Sequence, residues 1–381
     1  MSYKLFEVTS LYKNYINYFY DKFSEITSLS YSDLYNAIIN DCFAECDFLH
    51  KELNKLGVET KLVFYNDNHL QLKYFNDEVT DLFEIFIRQL KEFDPDILYV
   101  SDIGTFTKEQ YSIIRESLKP NAKMIAWHFT VVECFSKLLP LFDEVYTGSK
   151  YIMNLLIPYC KSVKLLYHAF EPNILNKINY TEKFNKLLFA GSIYLGEDIH
   201  NNRIDMFGEF KKKNIDCDFY GNIYGSFLPN GKKDLIKFLF EKNTLRKKRH
   251  IIEKEIRTKI KPSAFGLDYY SLLSKYNLCM NQHVKIAGTG AGNMRMFEVT
   301  GMGTCLVTDY KDENIDLFVP DEEIVVYKNY DELLEKVNWL LNNPRKANEI
   351  ALKGQKRTIN SHSYKHKAEV FNNYILGILY K

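Results

Sequence analysis

NQHVKIAGTGAGNMRMFEVTGMGTCLVTD, residues 281–309, holds the pattern from which the rest of the chain is read. Before it, Tyr276-Asn277-Leu278-Cys279-Met280 is mostly apolar and predicts a short buried strand; Gly288, Gly290 and Gly292 then break regular structure. From Asn293, the spacing of Met294, Phe297 and Val299 or Met302 predicts a short amphipathic helix, closed by Gly301 and Gly303. Thr304 to Thr308 then reads as a second buried strand. The unit is strand, glycine loop, helix, strand. Glycines such as Gly290 and Gly292 let a ligand approach the backbone, and the helix start at Asn293 and Met294 offers free N–H groups and a positive dipole end to an anion such as a diphosphate. Arg295, in the first turn, adds a bidentate donor for phosphate oxygens. A carboxylate would repel phosphate there, so Glu298 is assigned to the vicinal hydroxyls of a ribose, and His283, at the end of the preceding strand, to contact with the same ligand. The loop is neither Gly-x-Gly-x-x-Gly on a first strand nor a Walker loop, which argues against a dinucleotide cofactor and ATP hydrolysis. The alternative is a tight turn of an α/β protein with no ligand.

Several segments together resemble the CgeB-like glycosyltransferases. They are Asn281-x-His283, the run Ala291 to Gly303, Glu322-Glu323-Ile324-Val325-x-Tyr327, and Gly354-Gln355-Lys356-Arg357-Thr358. The likeness covers roughly residues 180 to 370, and the first half only in outline. It implies an α/β chain of GT-B fold, two Rossmann-like domains facing a central cleft, with a nucleotide-sugar donor held mainly by the C-terminal half. It further implies that Arg203 reaches the donor diphosphate and that Ser263 to Leu267, including Phe265 and Gly266, cradles the nucleobase through backbone groups. Better-known retaining GT-B enzymes carry two glutamates in this loop. Glu298 matches the second, but Ala291 stands where the first would fall, so the stereochemical outcome does not carry over.

The remainder of the chain suits that organisation. With 381 residues, 46% of them hydrophobic, it has material for two ordinary cores. A net charge of +1 gives no overall pull toward nucleic acid or an anionic membrane. Seven scattered cysteines argue for a reducing cytoplasm rather than a disulfide framework, and Cys42 and Cys46 lack a second pair to complete a zinc site. No basic region followed by a long apolar run opens the chain, and no stretch reaches the roughly 18 apolar residues of a membrane span. A cytoplasmic protein is expected.

Residues 1–175 read as an N-terminal Rossmann-like acceptor domain. Strands are predicted at Leu5–Thr9, Thr60–Tyr65, Ile97–Val100, Met124–Trp127 and Glu144–Thr147, with helices at Tyr12–Phe23, Ser32–Leu56 and about Asp77–Phe93. Strand and helix alternate, so the sheet should be parallel, with ligands beyond the carboxyl ends of its strands. Asp102 and His128 fall there and, if the transfer inverts the anomeric centre, are the two candidates for its general base. His168, near the hinge, is read as structural. Residues 180–362 form the nucleotide-sugar-binding domain, and 363–381 a helix crossing back to the first domain through Phe371, Tyr374 and Ile375.

Two Asp-x-Asp triplets, Asp94 to Asp96 and Asp216 to Asp218, match a pattern that holds Mn²⁺ in the other large glycosyltransferase fold, but both sit at the amino ends of strands and read as turn and strand-entry residues. No metal ligands and no cofactor are therefore assigned, and helix N–H groups and arginines are expected to stabilise a leaving diphosphate. The stretch 242–261 is densely basic, threaded by Ile251, Ile252 and Ile256. It reads either as a solvated helix docked by its isoleucines or as a face for peripheral contact with an anionic membrane surface; nucleic acid is not expected.

The expected activity is transfer of a sugar from a nucleotide diphosphate donor to the hydroxyl of a glycan, lipid-linked or protein acceptor, in bacterial surface-glycan or glycoconjugate synthesis. A nucleotide-sugar epimerase on the same scaffold, or a catalytically silent nucleotide-sugar-binding protein, is the alternative.

Overall fold

A computed structural model of the chain describes residues 2–75, 80–195, 201–225 and 244–380. It contains two compact units. The first comprises Met1–Glu171, Phe265–Leu267 and Ser361–Lys381, and the second Pro172–Ala264 and Asp268–Asn360.

In the first unit six parallel strands form one sheet: β1 (Lys4–Thr9), β2 (Glu59–Phe64), β3 (Ile97–Val100), β4 (Lys123–Trp127), β5 (Glu144–Thr147) and β6 (Val163–Leu165), in the order β2-β1-β3-β4-β5-β6. Ile97-Leu98-Tyr99-Val100 is buried along its whole length, as an apolar run covered on both faces should be. One face packs against Phe86, Leu90, Tyr111, Ile114, Ile152 and Leu156 from three helices. The C-terminal helix Tyr364–Leu379 belongs to this unit, and its Phe371 ring lies 5.4 Å from the rings of both Tyr99 and Tyr146.

The predicted helix from Ser32 to Leu56 is in fact two, Tyr31–Asn40 and Phe48–Lys55. Between them Cys42, Ala44 and Cys46 take φ of 59°, 54° and 43°, a left-handed backbone that no helical periodicity signals. The helix expected from about Asp77 runs Leu82–Phe93, with Asp81 accepting from the N–H groups of Phe83 and Glu84; residues 77–79 of that expectation lie outside the described residues.

The second unit has a parallel sheet of β7 (Phe184–Ala190), β9 (Cys217–Tyr220), β11 (Tyr276–Asn281), β12 (Cys305–Asp309) and β13 (Val325–Tyr327), ordered β13-β12-β11-β7-β9. A small parallel pair, β8 (Ile193–Tyr194) and β10 (Ile223–Tyr224), adjoins it in sequence. The strand order reverses between β7 and β11, and the carboxyl ends of those strands are where ligands bind in open parallel sheets.

The basic stretch is helical over Thr244–Lys259; Lys242 and Asn243, and the side chains of Arg246, Lys247 and Lys248, lie outside the described residues. Ile252 and Ile256 enter the core, whereas Ile251 is 61% exposed, which corrects its place on the docking face. Arg249 grips Asp205 through Nε (2.9 Å) and Nη2 (2.7 Å), Arg257 donates to Glu253 and to the Gly225 carbonyl (both 2.8 Å), and Lys259 pairs with Glu255 at 3.1 Å. These cations find their partners within the unit.

Candidate functional site

The site is built on the β7/β11 reversal. At the end of β7, Gly191 leaves room that Arg295 fills: a Cβ on Gly191 would stand 3.2 Å from both Nη1 and Nη2 of the guanidinium. Arg295 reaches there from the first turn of the helix Met294–Gly301, whose flanking Asn293 makes no side-chain capping bond to it. Asn293 instead exchanges amide hydrogen bonds with Asn281 at the end of β11, donating to Asn281 Oδ1 at 3.0 Å and accepting from its Nδ2 at 3.2 Å. The helix start is thereby tied to the strand end, while its leading N–H groups have no earlier helical turn to bond to.

Arg203, in the helix Asn201–Lys212, points to the same region. It is 8% exposed, and donates through Nη1 to the Ser192 carbonyl (2.6 Å) and through Nη2 to that of Gln282 (3.0 Å). Its pKa is pushed down to about 10, first by burial and then by the charge of Arg295. For Arg295, burial works in the same direction, but Tyr269, Cys279 and Glu298 outweigh it and hold the pKa above its ordinary value. The Nε atoms of both arginines are buried without a hydrogen-bond partner. A dianion bound beside two guanidinium groups and a helix start would relieve their repulsion and meet the open N–H groups.

The glycine loop between β11 and this helix is braced from the next strand. Lys311 Nζ donates to the Gly288 carbonyl at 2.8 Å, and Glu313 Oε2 accepts from the Ala291 N–H at 3.0 Å. Gly288 has φ +55°, within the region that favours glycine, and Gly290 N–H closes a turn onto the Ala287 carbonyl at 2.8 Å. Gly290 and Gly292 are buried.

His283 belongs to the same bracing. Its Nδ1 lies 2.7 Å from Asp309 Oδ1 and its Nε2 3.1 Å from the Ala291 carbonyl, so both ring nitrogens are engaged by the protein. This corrects its reading as a ligand contact: His283 holds the loop, because the end of β11 places it between the end of β12 and the returning chain. Burial would raise the Asp309 pKa, but His283 and Lys311 outweigh it and hold that carboxyl below the usual range. Nothing in the local sequence announces the brace, since Asp309 and Ala291 meet His283 only when the strands pair.

Glu298, one turn beyond Arg295, is 9% exposed and accepts from the Tyr269 hydroxyl at 3.2 Å. Phe265 belongs to the first unit. Its ring packs there against Tyr15, Tyr18 and Phe43 at 6.1, 5.4 and 5.7 Å. Gly266, at φ +54°, has no room for a side chain: a Cβ would fall 2.0 Å from Asp41 Oδ2.

The two general-base candidates lie in the first unit. His128 is buried, its Nε2 has no partner, and it packs on Phe135 at 5.1 Å. Burial lowers its pKa, against hydrogen bonds to the backbone at Val131 and Thr130 and the Asp102 charge. Asp102 is exposed but caps a turn, accepting from the Gly104 N–H at 3.0 Å.

Both Asp-x-Asp triplets are structural. Asp96 Oδ2 accepts from the Lys4 N–H at 2.7 Å and its Oδ1 pairs with Lys119 at 2.8 Å, while Asp94 ends a helix at φ 47°. Asp218 accepts from the Tyr276 hydroxyl at 2.6 Å and pairs with Lys261 at 3.2 Å, and Asp216 pairs with Lys186 at 2.9 Å. Among the described residues no group of three His, Cys, Asp or Glu side chains is arranged to hold a metal ion, and no helix is long and apolar enough to cross a membrane.

Comparison with known proteins bears on this geometry. Residues 207–373 match the profile of a family described as glycosyl transferase-like. A search of curated proteins returned no match. Among solved structures, sucrose-phosphate synthase from Thermosynechococcus elongatus superposes with a TM-score of 0.56 at 9% identity, over 99% of each chain. Anabaena HepE in complex with UDP and glucose gives 0.56 at 12% identity, over 98% of this chain and 99% of its own. AviGT4, a glycosyltransferase involved in avilamycin A biosynthesis, gives 0.55 at 14% identity, over 99% and 98%. The chain has the GT-B fold, and the family match within its second half, taken with that fold, supports an enzyme that transfers sugars.

Proposed function

We propose that this protein is a CgeB-like glycosyltransferase that moves a sugar from a nucleoside diphosphate donor to an acceptor hydroxyl in the synthesis of a bacterial surface glycan or glycoconjugate. The observation that carries the reading is the pair of arginines, buried Arg203 and half-buried Arg295, beside the helix start at the β7/β11 reversal. That site suits a diphosphate with ribose one helical turn further on. Uridine is the base tested first, because Anabaena HepE was solved with UDP-glucose and with UDP. The experiment is a thermal-shift and calorimetric screen of UDP, ADP and GDP with their sugars. A ligand at 100 times its Kd should add roughly 2.7 kcal/mol of stability. No shift with any nucleoside diphosphate would sink the reading. Incubation of UDP-sugars without acceptor tells transfer from epimerisation, which would yield a new sugar isomer.

Two expected results follow from the same geometry. Turnover should survive excess EDTA, because two arginines and helix N–H groups supply the positive charge at the leaving diphosphate. Activity abolished by EDTA and restored by Mn²⁺ or Mg²⁺ would show a metal requirement.

Glu298→Gln should weaken a ribonucleotide by about 1.5 to 3 kcal/mol, the range for hydrogen bonds to a charged group, and a 2′-deoxyribonucleotide much less. A carboxylate accepts from two hydroxyls, whereas the amide nitrogen only donates. Tyr269 and Arg295 stand against Glu298, so a purely structural carboxylate is the competing explanation. Calorimetry with UDP and 2′-deoxy-UDP decides: equal losses for both, with a lowered melting temperature before ligand is added, would assign Glu298 to support of Arg295.

A further inference from the structure

The helix Tyr330–Asn342 of the second unit buries Leu333, Leu334, Val337 and Leu340. Trp339 lies off that face and is 51% exposed, at a position where a solvated helix would carry a polar side chain. A single exposed apolar residue is ordinary. Trp339, however, lines a cavity of about 340 Å³ together with buried Val325 and Leu340 and half-buried Ile350. That volume is in the range of small-molecule pockets, about 300–1,000 Å³. Among the described residues nothing accepts from the indole N–H.

The rim of the cavity is charged but balanced. Asp321, Glu322 and Glu349 bring carboxylates to it, and Lys336, Lys346 and Lys353 ammonium groups. Each cation has its counter-ion. Lys336 Nζ pairs with Asp321 and Glu332, both at 3.0 Å, and donates to the Val326 carbonyl at 2.7 Å. Lys353 pairs with Glu322 at 3.3 Å and Lys346 with Glu349 at 2.6 Å. A phosphate, a nucleotide or an acidic lipid would therefore meet no uncompensated positive charge here, and a cation no uncompensated negative one. The two outer pairs are exposed, so they reorganise at little cost and can offer a ligand both donors and acceptors. Apolar surface with a half-exposed indole, bordered by paired donors and acceptors, suits a neutral molecule that has an apolar face and a ring of hydroxyls. A pyranose has that form: its C–H groups pack on the indole, and its hydroxyls both give and accept hydrogen bonds.

We propose that this cavity binds the pyranose rings of a neutral glycan, with Trp339 as the stacking platform and Glu349, Lys346 and Lys353 as partners of the hydroxyls. Asp321 and Glu322 lead into β13 at its amino end, whereas the two arginines stand at the carboxyl ends of β7 and β11 in the same parallel sheet. The glycan site is thus separate from the diphosphate site, and the inference does not rest on the nucleotide-sugar reading. Its role is to hold a saccharide chain on the protein away from the reacting sugar.

The test labels the protein with 5-fluorotryptophan, which gives two ¹⁹F resonances, from Trp127 and Trp339, and assigns them with Trp339→Phe. Titration with maltotriose, cellotriose, mannotriose and triacetylchitotriose should move the Trp339 resonance saturably for at least one of them. By calorimetry Trp339→Ala should then weaken that saccharide about tenfold or more, the scale for truncating an aromatic anchor. Glu349→Ala, a change on the exposed rim that leaves the core intact, should weaken it about fivefold, with UDP affinity unchanged in both variants. No saturable shift at Trp339 with any of the saccharides, or unchanged affinity in Trp339→Ala, would overturn the proposal. So would tighter binding of an anionic hyaluronan tetrasaccharide than of every neutral saccharide, which would mark an anion site. A Trp339 resonance that moves with protein concentration, together with a dimer in sedimentation that Trp339→Ala dissolves, would overturn it in favour of a contact with a second copy of the chain. Wild type that binds no nucleoside diphosphate removes the nucleotide-sugar reading and leaves a saccharide shift at Trp339 standing.

Discussion

Arg295→Ala should weaken UDP by about 1.5 to 3 kcal/mol, or roughly tenfold to 150-fold in Kd, the range for hydrogen bonds to a charged partner. The effect comes from placement. The guanidinium lies over Gly191 at the end of β7 and is carried by the first turn of Met294–Gly301, so its fork would meet the proposed diphosphate along with the helix N–H groups. Arg295→Lys should fall between, because an ammonium keeps the charge but loses the planar fork. The ligand-free protein adds a second signature: Tyr269 and Glu298 favour the Arg295 charge by more than burial opposes it, so Arg295→Ala should lower the melting temperature even though the repulsion felt by Arg203 is relieved. Titration calorimetry with UDP checks the first point and a ligand-free thermal melt the second. An Arg295→Ala protein with wild-type affinity for UDP would remove Arg295 from the site.

Gly354→Ala should destabilise the protein by about 2 kcal/mol, within the range for overpacking. The sign runs against helix propensity, since Gly354 lies inside the helix Pro344–Ser361, where alanine would ordinarily add up to about 1 kcal/mol. Here a Cβ would fall 2.3 Å from the backbone carbonyl oxygen of Glu323 and 3.5 Å from the Thr300 methyl. The carbonyl belongs to a turn and cannot swing aside like a side chain. Its neighbours explain why the shift would reach the site. Gln355 Nε2 donates to the Gly301 carbonyl at 2.9 Å, Thr358 and Thr300 share a hydrogen bond of 2.6 Å, and Arg357 Nε donates to the Leu317 carbonyl at 3.1 Å. The run Gly354 to Thr358 therefore supports the back of the helix that presents Arg295, and UDP affinity should fall together with stability. A melting temperature equal to or above wild type would show that the two segments part without strain.

Sequence by itself determined the strand and helix alternation, the parallel sheets it demands, and the strand, glycine loop and helix at 276–301. All of these depend on neighbours along the chain. Buried runs such as Ile97–Val100, the spacing of Met294 and Phe297, and glycines at a tight turn are local properties, and local periodicity reports them. Tertiary structure alone decided which polar groups meet. His283 is assigned to a ligand by its position in sequence, yet strand pairing sets it between Asp309 and Ala291, where it braces the loop. Helical spacing runs unbroken through Cys42 to Cys46, but packing turns the backbone left-handed there and delivers Glu45 to His168 and Lys367, residues far apart in the chain. A hydrophobic period records only which face is buried. The partner of a buried charge is set by the order of the strands and the path of the last helix, and that information is spread over the whole chain.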